Sequence, residues 1–204
     1  MALLQHAFGI MTNPSAEWVS VRDDKSSFKQ VFLSHVPFLA LIPSLSAFYG
    51  VTQVGWVVGD NVTRLSTNSA LSLCALTYVA LLVGVFVLGE FANWMSRTYG
   101  VAESEERRHH AGTALAVCAT TPMFLAGLFL VVPSIWVNTL AMIAAGSYAV
   151  YLIYEGMPIL MNIDKNRAFM YSSSVITVGL VLMVSAMIGT VLVWGMGIGP
   201  VYID

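Results

Sequence analysis

Four stretches of this chain contain no Asp, Glu, Lys or Arg: Gln30 to Gly59 (30 residues), Leu65 to Gly89 (25), Ala111 to Tyr154 (44) and Ala168 to Ile203 (36). A charge at the centre of a bilayer is disfavoured by about 2.5–3.5 kcal/mol on insertion scales. About 20 apolar residues of helix cross a hydrocarbon core roughly 30 Å thick. Runs of this length therefore read as membrane spans, one each for the first, second and fourth. As a single helix the third would be roughly 66 Å long. Val132-Pro133-Ser134 lies near its middle, where proline opposes helical continuation, so this run reads as a helical hairpin. The expectation is five transmembrane helices, near Val31 to Val51, Ser69 to Phe91, Thr113 to Val132, Ser134 to Tyr154 and Ala168 to Trp194. The runs are too long and too little alternating for barrel strands, which need about 9–11 residues each.

Composition agrees. The chain is 57% hydrophobic and 10% charged, against roughly 45–50% and about 25% in soluble domains, which excludes a water-soluble globule. Eleven acidic against nine basic residues leave a net charge of −2, without the basic excess of a nucleic-acid binder. No nucleic-acid partner is expected. Arg22, Lys25, Lys29, Arg97, Arg107, Arg108, Lys165 and Arg167 fall in segments that five crossings put on one side, with only Arg64 on the other. By the positive-inside rule the N-terminus is cytoplasmic and Asp204 is outside. The first eleven residues lack a basic n-region, and Gln5 and His6 interrupt them, so they do not read as a secretory signal. Cys74 and Cys118 fall inside spans without CxxC spacing and read as small apolar packing residues.

Residues 1–30 form a cytoplasmic segment ahead of a five-helix domain at 31–204. Within that segment Asn13-Pro14 is a helix start, with Pro at the first helical position and Glu17 in the opening turns. Trp18, Val21, Lys25 and Phe28 follow at intervals of three or four residues, the stripe of a helix lying in the inner membrane interface. Packing of that stripe on the bundle stays open as the alternative. The fold class is thus all-α: a polytopic integral membrane bundle of five helices preceded by an interfacial amphipathic helix.

His35, Glu90 and Glu155 fall near inner helix ends, and no charged residue falls at the depth where ion-coupled transporters place theirs. Glu90, Asn93, Arg97, Glu155, Lys165 and Arg167 form a candidate interaction cluster on the cytoplasmic face. Its plainer reading is a set of interfacial ion pairs, with Glu90 and Glu155 matched to Arg97, Lys165 or Arg167. Gly156 is expected to end the fourth span and Pro158 to bar its continuation. Pro37, Pro43 and Thr120-Thr121-Pro122 read as packing kinks, or as a hinge, with hydroxyls satisfying freed carbonyls. Ala80-xxx-Gly84 and Ser185-xxx-Gly189 offer small faces for helix contact. Glu105/His109 and Glu106/His110 have metal-compatible spacing but read as a charged helix cap. No cofactor or metal is expected, and no hydrolase or nucleotide-loop signature is present.

Several stretches together resemble a known family: Asn13-Pro14 with Trp18, Trp94-Met-Ser-Arg-Thr-Tyr-Gly100, Thr121-Pro-Met-Phe-Leu-Ala-Gly127, Tyr154-Glu-Gly-Met-Pro-Ile-Leu-Met161 and Ser172-Ser-Ser174. In this order they look like the Ypt-interacting protein (Yip) membrane family, in its bacterial branch. Trp18, Pro122, Gly127, Gly156 and Pro158 are the structural positions of that pattern. Eukaryotic members are associated with Rab-type GTPases, but the short N-terminal segment lacks their Asp-Leu-Tyr-Gly-Pro stretch, so GTPase binding does not carry over. The resemblance implies a multi-pass protein of the bacterial inner membrane. The expected function is non-enzymatic, organising membrane or recruiting partners at the cytoplasmic face, with a small-solute permease or lipid-moving protein as the alternative. Membrane lipids are the expected partners, and a protein partner and a homo-oligomer stay open.

Overall fold

The structure is a computed structural model that describes residues 9–23, 28–58 and 60–203. Six helices dominate: α1 (Pro14–Asp23), α2 (Phe28–Tyr49), α3 (Thr67–Ser96), α4 (Glu105–Ala126), α5 (Ile135–Met161) and α6 (Lys165–Gly195). A π-helical turn, Gly50–Val54, extends α2, and a 3-10 turn, Gly127–Val131, extends α4. Five of these helices, α2 to α6, are long and apolar enough to cross a membrane, matching the number of spans read from the charge gaps.

Local chemistry sets the ends. Ser66 accepts from the Ser69 amide at 3.4 Å to open α3, and Ser104 from the Arg107 amide at 3.4 Å to open α4. Asp164 accepts from the Asn166 and Arg167 amides, at 3.0 and 3.1 Å, to open α6. Each supplies an acceptor to amides that the first turn leaves without one. The turn at Val132-Pro133-Ser134 separates α4 from α5, as a hairpin requires. The fourth span corrects the expected end: α5 runs through both Gly156 and Pro158 and stops at Asn162, whose left-handed conformation (φ 49°) terminates it. Proline removes one donor, which a helix packed among neighbours tolerates.

At the centre lies α4, packed against α2, α3 and α5. Its Ala111-Gly-Thr-Ala-Leu-Ala116 face lets backbones approach closely. A Cβ on Gly112 would stand 2.9 Å from both the Asn93 amide nitrogen and the Gly89 carbonyl oxygen. Near the far end a Cβ on Gly127 would stand 2.5 Å from Pro43 Cβ, so the proline ring of α2 sits directly on the backbone of the 3-10 turn that extends α4. The hydroxyls of Thr120 and Thr121 bond the Ala116 and Val117 carbonyls at 2.8 and 3.0 Å. They do not reach the carbonyl of residue 118, the acceptor that Pro122 leaves without its helical donor.

The outermost helix, α6, packs mainly on α3 and α5, and its buried residues, Ala168, Tyr171, Ser172 and Val175, all lie in its first third. Gly84 and Gly189 of the two anticipated small faces have nothing within 4 Å of a Cβ position. The close helix contact through small residues is made instead by Gly89 with Gly112.

The all-helical expectation omits a small antiparallel sheet at the end of the bundle remote from α1. It contains β1 (Trp56–Val58), β2 (Asn61–Leu65) and β3 (Tyr202–Ile203), in that order. Gly197, at φ 94°, turns the chain back after α6. Ser69 Oγ then donates to the Gly199 carbonyl at 2.9 Å and accepts from the Val201 amide at 3.0 Å, tying the last strand to the start of α3.

Candidate functional site

The opposite end of the bundle gathers α1, the starts of α2, α4 and α6, and the ends of α3 and α5. Arg22, Arg97, Arg107, Arg108, Lys165 and Arg167 lie at this basic end, and Arg64, in β2, lies at the sheet end.

Of the two arrangements open for the N-terminal stripe, packing on the bundle is the one observed, and the surface it uses is α5. Trp18 is fully buried and Val21 nearly so; Lys25 and the side chain of Phe28 lie outside the described residues. The indole rests on Gly156, where a Cβ would stand 2.5 Å from Trp18 Cε2. Gly156 is thus a notch in the helix wall. Polar contacts fix the helix around it. The Tyr148 hydroxyl donates to the Ile10 and Met11 carbonyls at 3.0 and 3.3 Å. Ser15 Oγ donates to Glu155 Oε1 at 2.7 Å, and His110 Nε2 lies 3.3 Å from the Val21 carbonyl oxygen.

The six residues anticipated as one cluster share an end of the molecule, but among the described residues no side chain of the six forms a hydrogen bond or ion pair with the side chain of another. Glu90 Oε1 meets His109 Nδ1 at 3.4 Å, and Glu155 takes Ser15, so neither carboxylate has the partners expected for it. Arg97 pairs with Glu105 at 3.1 Å and Arg167 with Asp164 at 3.2 Å. Lys165 is exposed on the first turn of α6. Asn93 contributes backbone, with its amide against Gly112 and its carbonyl accepting from Ser96 Oγ at 2.5 Å. Exposed pairs of this kind contribute about 0–1 kcal/mol each, so they orient side chains and leave cohesion to packing. Of the four residues with metal-compatible spacing, Glu105 faces Arg97, His109 faces Glu90 and His110 faces α1.

The Ser172-Ser-Ser174 stretch has a role that spacing alone did not reveal. Ser172 Oγ lies 3.4 Å from the Ile153 carbonyl oxygen, Ser173 Oγ 3.0 Å from the Tyr154 hydroxyl and Ser174 Oγ 2.8 Å from the Tyr99 hydroxyl. Tyr99 stacks on Tyr171 at 4.8 Å and Tyr154 on Phe169 at 5.3 Å, and the Tyr171 hydroxyl donates to the Ala92 carbonyl. Three neighbouring positions on α6 therefore meet two surfaces, Ser172 and Ser173 on α5 and Ser174 on the segment between α3 and α4. A tyrosine in each facing segment was the available signal. In α1, Asp23 is held below the usual carboxylate value by its hydrogen bond to Arg22, with Arg107 on α4 adding a smaller electrostatic contribution.

Five apolar helices with a docked N-terminal helix define a polytopic helical membrane protein. The chain belongs to the Yip1 domain family, which it matches over residues 8–186. It is 32% identical over 201 residues to the inner membrane protein YohC of Escherichia coli K12, covering 95% of this chain and 98% of that protein. YohC of E. coli O6:H1 gives the same figures. No solved structure matches. With that relative and those helices, this is a multi-pass inner-membrane protein.

Proposed function

We propose that this protein is a non-enzymatic scaffold of the inner membrane, whose basic end faces the cytoplasm and recruits partners or organises the adjoining leaflet. The observation that carries this reading is the convergence of α1 and the helix ends bearing Arg97, Glu155, Lys165 and Arg167 on one end of the bundle. The sheet end has a single arginine among the described residues. Partial desolvation at an interface strengthens charge pairing relative to water, which suits capture of a headgroup or a partner segment. By the positive-inside rule this end is the cytoplasmic one. A reporter fused at Asp204 is expected to read periplasmic, and a cytoplasmic readout overturns the orientation. The functional test is capture of lipid or partner by E90Q and E155Q proteins that remain folded: impaired capture supports the assignment. Wild-type capture by both, with loss in an Arg64 variant instead, overturns it. Solute flux or lipid scrambling in liposomes above the protein-free rate favours the permease reading over this one.

A further inference from the structure

A cavity of about 260 Å³ opens at the basic end, lined by Arg22, Asp23, Glu103, Arg107, Leu160 and Asn162. It lies between the last turn of α1, the segment leading into α4 and the C-terminus of α5, and it includes none of the six residues of the reading above. Its charges are balanced and arranged. Arg22 uses Nε to reach Asp23 Oδ1 at 3.0 Å, and Arg107 uses Nε to approach Glu103 Oε2 at 3.7 Å. The terminal nitrogens of both guanidinium groups have no hydrogen-bond or ion-pair partner among the described residues. Two guanidinium edges are therefore open in one cavity, the arrangement that takes a phosphate. The N-terminus of α4 adds positive potential on the same side.

The opposite pole is also present. Asp23 Oδ2 and Glu103 Oε1 are not used in those two pairs. The C-terminus of α5, closed at left-handed Asn162, contributes the negative end of a helix of 27 residues. A simple anion would meet these carboxylates with repulsion. A ligand with a phosphate at one end and a primary ammonium at the other satisfies both poles without net charge transfer.

We propose that this cavity binds a phosphoethanolamine group, with the phosphate on Arg22 and Arg107 and the ammonium on Asp23, Glu103 and the carbonyl end of α5. The ammonium hydrogens distinguish it from choline, which has none to donate, and the ammonium charge distinguishes it from phosphatidylglycerol. The inference rests on the proposed function only in setting the cavity against a leaflet.

The test uses the full-length protein in nanodiscs containing equal amounts of phosphatidylethanolamine, phosphatidylcholine and phosphatidylglycerol, with retained lipid read by native mass spectrometry. Retention of phosphatidylethanolamine on the order of tenfold over the other two is expected. The preference disappears in R22Q/R107Q and persists in R64Q, at the sheet end. These cavity side chains are between 34% and 60% exposed, so the variants retain the fold. D23N/E103Q removes the two carboxylates and keeps both guanidinium groups, and is expected to move the preference towards phosphatidylglycerol, a reversal that unfolding cannot produce. Equal retention of the three lipids by the unaltered chain overturns the proposal, and so does a preference that survives R22Q/R107Q. Free phosphoethanolamine that displaces the lipid identifies the soluble group as a sufficient ligand. Failure to displace assigns the site to the anchored lipid, and both results keep the headgroup chemistry. None of these variants touches Glu90 or Glu155, so failure here leaves the capture test of those residues standing.

Discussion

The central helix and the outermost one are both apolar enough to span a membrane, yet 61% of the spanning window of α4 is buried and only 6% of that of α6. In water the more apolar segment would be inside. In lipid the solvent is itself apolar, and close packing decides the question. Where α4 crosses Gly89 of α3 it presents Gly112, Thr113 and Ala116, which let the two backbones touch. Beyond Gly179, α6 is rich in Leu, Val and Met, which fill lipid well and bar close approach. Between these two helices, burial follows the small residues of α4 rather than hydropathy.

The largest expected effect breaks that contrast at α4. In Gly112→Leu the added side chain meets backbone at Asn93 and Gly89, which cannot move aside, so the loss is over about 5 kcal/mol and the bundle fails to assemble. Gly189→Leu, in the open on α6, stays within about 0.5 kcal/mol of the parent; thermal unfolding in detergent measures both. If the two variants melt alike, packing does not separate the two helices. Next, Trp18→Ala removes about 3–5 kcal/mol from the docking of α1. Gly156→Val is expected to release α1 without altering Trp18, read as faster hydrogen exchange over residues 14–23 while the exchange of α4 is unchanged. A smaller effect sharpens the account of α6. Tyr171→Phe removes the bond to the Ala92 carbonyl for about 0.6 kcal/mol, the average in membrane interiors, and shows as a modest drop in melting temperature. The smallest effect concerns pH. The folded Asp23 carboxyl lies below its unfolded value, so its contribution is present above the usual carboxylate range and is lost as pH falls through the folded value. Exchange over α1 should rise slightly on acidification, and D23N should abolish that increment.

The spans were legible because an uncharged run is a direct physical measure and tolerates errors of a few residues. The end of α5 was not. Gly156 and Pro158 carry the stop signals of a soluble helix, whereas here the glycine receives an indole and the proline is held among neighbouring helices. The side shared by the six candidate residues was also legible, since crossing number assigns it. Their partners depend on rotation about each helix axis: Glu90 faces His109 on α4, and Glu155 faces a serine 140 positions earlier in the chain. The sheet had a readable cue in Trp56-Val-Val and Asn61-Val-Thr-Arg-Leu separated by Gly59-Asp60, but β3 pairs across the whole chain and carries no local signal.

The separation between Ser15 and Glu155 has a consequence in time. A ribosome adding about 5–20 residues per second finishes α1 roughly 7–28 s before it makes the wall that α1 rests on. Throughout that interval the indole of Trp18 has no protein notch to enter. The seam between α1 and α5 therefore closes late: the first helix of the bundle to be made waits for the second-to-last before its indole is covered.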